Sequence, residues 1–240
     1  MDKFFARVRS LFRVRIEDGF AGPPVGKVKF GDFRRLDPIS RSFGFERGTP
    51  LDRYYIENFL QEHSSDIQGH VLEIGDDHYT RQFGGAKVRQ SDVLDLNADN
   101  RHATIITDLA NAGHLPSNMF DGIIFTQTLQ FIYNLSSAIA TLHRILKPRG
   151  VLLGTFPVIS QICRYDMDRW GDYWRFTSAS VQKMLGDHFG HGNVTVNAHG
   201  NILVAMCFLH GLSVQELEPY ERDHFDPDYQ ILISARAVKA

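Results

Sequence analysis

The stretch FDGIIFTQTLQFIYNLSSAIATLHRILKPRGVLLGTFP, residues 120–157, decides the fold. It opens on a short apolar run, FDGIIFTQ (residues 120–127), and closes on another, VLLGTFP (residues 151–157). Runs of this length with no polar alternation suit strands buried on both faces. Between them, SSAIATLHRILKPRG (residues 136–150) has helical spacing, with a serine as N-cap and Lys-Pro-Arg-Gly as stop. Two buried strands joined by a helix form a parallel unit.

The same alternation extends outward. Upstream, HVLEIG predicts a strand over residues 71–75, KVRQSDVL one over 87–94 and ATIITDL one over 103–109. Downstream, VTVNAHG and YQILISARAV read as two further strands, and NILVAMCFLHGLSVQELEP between them reads as helical. LDRYYIENFLQEHSSDI, after Pro50, predicts a helix. The expected fold is therefore α/β: a Rossmann-like doubly wound sheet of about seven mostly parallel strands. Residues 1–50 form a separate arm in this reading, and residues 51–240 form the domain. Within the arm, Phe4, Phe5, Val8, Leu11 and Phe12 share one helical face, with Lys3, Arg7, Arg9 and Arg13 largely opposite. Such a segment suits peripheral contact of residues 1–15 with an anionic membrane. Docking of its Phe face on the protein itself or on a second subunit is the plainer reading.

In a doubly wound sheet, ligands bind beyond the carboxyl ends of the strands. After the first strand come Glu73, Gly75 and Asp76. Gly75 allows a tight turn and a close backbone approach, while Glu73 can hold the loop or accept from an ammonium group. After the second strand, Asp92 can take both hydroxyls of a ribose, with Asp95 close behind. After the third, Asp108 can accept from an adenine amino group while the backbone beside Leu109 donates to a ring nitrogen. Alone, each residue marks no more than a turn or a cap. In succession they line one crevice with acids.

VLEIGDD, SDVL, DLANA, FDGIIFTQTLQFI and LHRILKPRGVLLGTFP resemble successive motifs of class I S-adenosylmethionine-dependent methyltransferases. The chain is most similar to the bacterial small-molecule type, like methyltransferase domain 11. The resemblance is clear over residues 51–157. It implies S-adenosyl-L-methionine as cofactor, with Glu73, Gly75 and Asp76 against methionine and ribose, Asp92 on ribose, Asp108 and Leu109 on adenine, and Thr126 and Gln127 at the methionine end. One departure stands out. The family commonly carries E-x-G-x-G-x-G after the first strand, whereas Asp76-Asp77-His78 follow Gly75 here. The same loop lacks the phosphate-cradling GxGxxG, which argues against an NAD-dependent dehydrogenase.

On the acceptor side, residues 160–176 hold both tryptophans, Trp170 and Trp174, interleaved with Asp166, Asp168 and Asp172. Aromatic rings beside carboxylates suit a sugar or another polar ring. Asp166, Asp168 and His210 are the candidate catalytic groups. The leading expectation is methyl transfer to a hydroxyl of a sugar or glycosylated metabolite. A lipid, a natural-product phenol or amine as acceptor, or a noncatalytic module of the same fold, are the alternatives.

Composition sets the outer limits. With 43% hydrophobic residues and a net charge of -2, the chain has globular composition and lacks the basic surface of a nucleic-acid binder. Cys163 and Cys207 form no CxxC pair, which fits a reducing cytoplasm. No metal-ligand spacing is present, and no run is apolar enough to span a membrane. The sequence carries no signal for oligomeric state.

Overall fold

The apolar runs form seven strands in the computed structural model, which describes residues 22–240. They are β1 (Gly69–Ile74), β2 (Val88–Asp95), β3 (Ile105–Ile106), β4 (Phe120–Thr126), β5 (Leu146–Pro157), β6 (Val194–His199) and β7 (Leu232–Val238). All join one sheet in the order β3-β2-β1-β4-β5-β7-β6. Only β7 is reversed, pairing antiparallel with both β5 and β6. The order reverses direction between β1 and β4, so the crevice of a doubly wound sheet lies at their carboxyl ends.

The helices are α1 (Leu51–Glu62), α2 (Leu135–Ile145), α3 (Arg164–Met167), α4 (Ser178–Phe189), α5 (Ile202–Leu209) and α6 (Pro219–Asp223). On one side, Leu142 and Ile145 of α2 and Val181 and Leu185 of α4 join strand residues Leu72, Phe125 and Phe156 in a common core. Each such side chain contributes roughly 1.5–3 kcal/mol by burial.

Four local expectations change. The cap of α2 is Asn134, whose side chain accepts from the Ser137 N–H at 3.2 Å. The helix ends at Ile145, and the Lys-Pro-Arg-Gly segment enters β5. The long helix expected after β6 is confined to Ile202–Leu209, because the buried Asn201 caps its start and the chain turns at Gly211. The third strand keeps only Ile105 and Ile106, the pair that meets β2 at the sheet edge.

Chain contacts divide the protein into Met1–Asp37 and Pro38–Ala240. The amphipathic helix expected over residues 4–13 lies outside the described residues. In the first unit, residues 31–33 form a single helical turn and the Arg34 guanidinium sits 4.9 Å from the centre of the Phe30 ring. Residues 38–50, assigned to the arm from sequence, pack within the second unit. The Ser40 N–H donates to the His210 carbonyl at 2.9 Å, and the Val214 N–H to the Thr49 carbonyl at 2.8 Å. Gly211 makes this crossing feasible: its φ is +69°, and a Cβ there would stand 2.6 Å from the Ser40 carbonyl. The segment brings Phe43, Phe45, Thr49 and Pro50 to the crevice. Among the described residues, no helix is long and apolar enough to cross a membrane.

Candidate active site

The loop after β1 is shaped from below by Glu73. Its side chain is 2% exposed, and its carboxylate accepts from the Tyr79 N–H at 3.1 Å and the Thr80 N–H at 2.7 Å. Burial pushes its pKa up to about 7, against the lowering effect of these bonds. Arg53 of α1 donates to the Tyr79 hydroxyl at 2.5 Å and fixes the loop from the other side. At its start, Gly75 has φ +83°, and a Cβ there would meet nothing within 4 Å, so the backbone lies open to the crevice. These contacts order a loop that lacks the glycines usual in the family.

The loop after β2 is tied to the first one. Asn100 donates from Nδ2 to the Gly75 carbonyl and to the Asp95 carboxylate, both at 2.6 Å. The Gly75 N–H donates to the Leu94 carbonyl at 3.0 Å. After β3, Asp108 caps the turn Leu109–Asn111, accepting from the Ala110 N–H at 2.9 Å and Asn111 Nδ2 at 2.6 Å. After β4, Gln127 takes a left-handed conformation with φ +46°, rare for a residue with a Cβ.

These loops enclose a cavity of about 640 Å³. It brings together Glu73, Gly75, Asp76, Asp108, Leu109, Thr126, Gln127 and Asp166 of the residues singled out from sequence. It does not include Asp92, Asp168 or His210. Asp92 points away from the crevice into its own network: its carboxylate lies 2.6 Å from His70 Nε2 and accepts from the Thr104 hydroxyl at 2.7 Å. Asp95, three residues on, stands at the strand end and lines the cavity instead. Asp168 is 59% exposed in an ion pair with Arg164 at 3.0 Å. His210 caps the end of α5, where its carbonyl serves Ser40.

Arg53, Glu57, Tyr79 and Phe131 also line the cavity, unflagged by the sequence reading. For Arg53 and Glu57 a signal existed, their i, i+4 spacing on α1, but it shows no partner across the crevice. In all, Glu57, Asp76, Asp95, Asp108 and Asp166 line this cavity, with Glu73 buried beneath its loop, against one arginine. That balance suits a cationic ligand and opposes a pyrophosphate.

A second cavity, of about 270 Å³, adjoins the first. Phe45, Arg53, Gln127, Phe131 and Asp166 line both and so form their common rim. Its roof is residues 160–175, clamped by Asp172. This side chain, 2% exposed, accepts from Arg175 Nη1 at 2.5 Å and Nη2 at 2.9 Å, and from the Cys163 N–H at 3.3 Å. The roof tryptophans divide the work. Trp170 lines the large cavity, while Trp174 packs on the core and donates from Nε1 to the Ile132 carbonyl at 3.1 Å. Among the described residues, no group of three or more His, Cys, Asp or Glu is placed to hold a metal ion.

A parallel sheet with one reversed strand beside β5 and an acid-lined crevice at its switch point defines a class I methyltransferase architecture. Residues 53–154 match the family model described as methyltransferase domain. Over that stretch the chain is similar to class I S-adenosylmethionine-dependent methyltransferases, which supports an enzyme with S-adenosylmethionine as its cofactor. The matched stretch covers the large cavity's strand ends and stops before the roof.

The fold is similar to that of a SAM-dependent methyltransferase from Archaeoglobus fulgidus (TM-score 0.52, 13% identity, 78% of this chain and 94% of that one). It is also similar to the N-methyltransferase NodS from Bradyrhizobium japonicum WM9, in complex with S-adenosyl-L-homocysteine (TM-score 0.52, 15% identity, 84% and 94%). The [4+2]-cyclase SpnF shares it as well (TM-score 0.52, 13% identity, 85% and 87%), so the fold alone does not dictate the reaction. No curated protein sequence matches the chain.

Proposed function

We propose that the enzyme transfers a methyl group to a hydroxyl of a small, neutral, polar acceptor, a sugar-type ring, held in the second cavity. The observation that carries this reading is the shared rim, because a donor on one side and an acceptor on the other meet only there. At 270 Å³ the second cavity falls just below the roughly 300–1,000 Å³ of sites for drug-sized ligands, so a single ring or short chain fits.

In this account Asp95 takes the ribose hydroxyls in place of Asp92. Asp108 and the Leu109 backbone hold the adenine, and Gly75, Asp76, Thr126 and Gln127 border the ribose and methionine portions. Their open backbone and surplus of carboxylates fit a ligand bearing a sulfonium and an ammonium group. When bound, S-adenosylmethionine supplies the methyl group as an electrophile.

The chain's own residues then orient, desolvate and accept a proton. Phe45 and Phe131 exclude water at the rim. Asp166, on the same rim, receives the proton of the acceptor hydroxyl as its oxygen becomes the nucleophile. Orientation across the rim contributes on the order of 7–11 kcal/mol in well-aligned cases.

Charge in the second cavity supports a neutral acceptor. Asp172 is matched by Arg175, and Asp52 lies in the field of Arg53. An amine acceptor is the second reading, favoured by the description of NodS as an N-methyltransferase. Transfer of labelled methyl from S-adenosylmethionine to a panel of methyl glycosides and their amino-sugar counterparts tests both. Labelled glycosides support the hydroxyl reading, label only in the amino sugars favours the amine, and label in neither contradicts a sugar-type acceptor.

A further inference from the structure

Gln130 lines the second cavity, in the helical turn Leu129–Phe131 just after β4. It is 5% exposed, yet its Oε1 has no hydrogen-bond partner in the protein. A buried acceptor left without a donor costs roughly 1–3 kcal/mol, so such an atom at a ligand cavity calls for a ligand. The orientation of the amide is fixed. Its Nε2 donates to the Gln127 carbonyl at 2.7 Å, a contact the oxygen could not make, so Oε1 is the free end. The backbone on either side is also held: the Tyr173 N–H donates to the Gln130 carbonyl at 2.9 Å, tying this turn to the roof.

We propose that Gln130 determines acceptor specificity: its Oε1 accepts a hydrogen bond from a hydroxyl of the acceptor adjacent to the one that is methylated. This rests on the acceptor occupying the second cavity. Gln127 is on the rim and Gln130 is hydrogen-bonded to it on the cavity wall, so a ligand presenting one hydroxyl at the rim brings a neighbouring hydroxyl towards Gln130. The partner is a donor group, since a carbonyl or ether oxygen offers Oε1 nothing. Beyond the rim, where Asp166 stands, Arg175 is paired with Asp172 and Asp52 lies in the field of Arg53, which leaves the cavity wall little charge for an ionic ligand to answer. The chemical class is therefore a polyhydroxylated neutral molecule with adjacent hydroxyls. An acceptor with a single isolated hydroxyl leaves Oε1 unsatisfied and is discriminated against, because a site built for a hydroxyl rejects the analogue lacking it.

The test uses the full chain saturated with S-adenosylhomocysteine and methyl α-D-glucopyranoside as probe, by crystallography and calorimetry. A glycoside hydroxyl at hydrogen-bond distance from Oε1 is expected. Gln130→Met, which keeps the volume and removes the acceptor, weakens the glycoside by about tenfold, the loss of one buried hydrogen bond. Gln130→Glu keeps an acceptor oxygen but loses the amide donor to Gln127, and it retains glycoside binding. Affinity for S-adenosylhomocysteine stays unchanged in both variants. Equal loss in Glu and Met variants assigns the effect to the Gln127 contact and overturns the proposal, as does a glycoside bound with no hydroxyl on Oε1. Absence of the glycoside from the second cavity while S-adenosylhomocysteine is bound overturns it too, leaving the methyl-transfer reading intact. Failure of S-adenosylhomocysteine itself to bind removes both.

Discussion

The carboxylate of Glu73 and the backbone N–H of Thr80 meet at 2.7 Å beneath the cofactor loop. The carboxyl is nearly sealed from water, and its pKa rises to about 7 from 4.5. In the unfolded chain it loses its proton near 4.5, and in the folded chain only near 7. The folded state thus binds the extra proton in between. Stability from this group is full below about pH 4.5 and is lost as pH rises to about 7. Carbon-13 NMR of the Glu73 carboxyl should show a midpoint near 7. A cation bound close by favours the ionised form. Affinity for S-adenosylmethionine should therefore rise with pH across this window, and affinity for S-adenosylhomocysteine, which lacks the sulfonium charge, should rise less. Parallel pH profiles for the two ligands would contradict this.

Asp95 and Asp92 separate cleanly. Asp95→Ala should weaken S-adenosylmethionine by about 1.5–3 kcal/mol, the value of a charge-assisted hydrogen bond. Asp92→Ala should leave that affinity within a factor of about two and instead lower the melting temperature, since it strips His70 and Thr104 of a partner. Calorimetry and thermal melting on both variants decide the assignment.

That Asp95 rather than Asp92 lines the cavity shows where sequence reading stops. Apolar runs such as FDGII and VLLGTFP place the strands of the sheet because burial on both faces leaves a plain mark in composition. A strand's last residue leaves none. The strand expected over residues 87–94 runs to Asp95, which pairs with Ile106, so Asp92 lies within it and its side chain serves His70 and Thr104. The α2 cap was misread for a similar reason, as Asn134 and Ser136 are both good caps and packing selects one. The strap of residues 38–50 and the orphan oxygen of Gln130 depend on contacts far apart in the chain, which no local pattern encodes. That Asp76 and Asp108 line the large cavity follows, by contrast, from where the sheet's periodicity places its loops.

Asp166 and Asp168 differ in the same testable way. Asp166→Asn should lower turnover on a hydroxyl acceptor by about 10²–10⁴-fold, the range for loss of a positioned base, with cofactor affinity nearly unchanged. Asp168→Asn should do little, because a solvent-exposed pair with Arg164 is worth ~0–1 kcal/mol. Steady-state kinetics with a labelled methyl donor reads both.

Asp172 holds the roof closed. Asp172→Asn removes a nearly buried carboxylate from two guanidinium bonds and one backbone N–H, and should cost about 1.5–3 kcal/mol locally. Hydrogen exchange over residues 160–175 should accelerate, while that of the β1 and β4 strands should not. Unchanged exchange in the roof would mean that the Arg175 pair does not clamp it.

Calorimetric titration of the full chain with S-adenosylmethionine tests the central claim, that the acid-lined crevice at the ends of β1, β2, β3 and β4 is a working cofactor site despite its glycine-poor first loop. The account predicts saturable binding that Asp95→Ala weakens and Asp92→Ala spares. The absence of binding by the folded wild-type protein, or binding indifferent to Asp95, would contradict it.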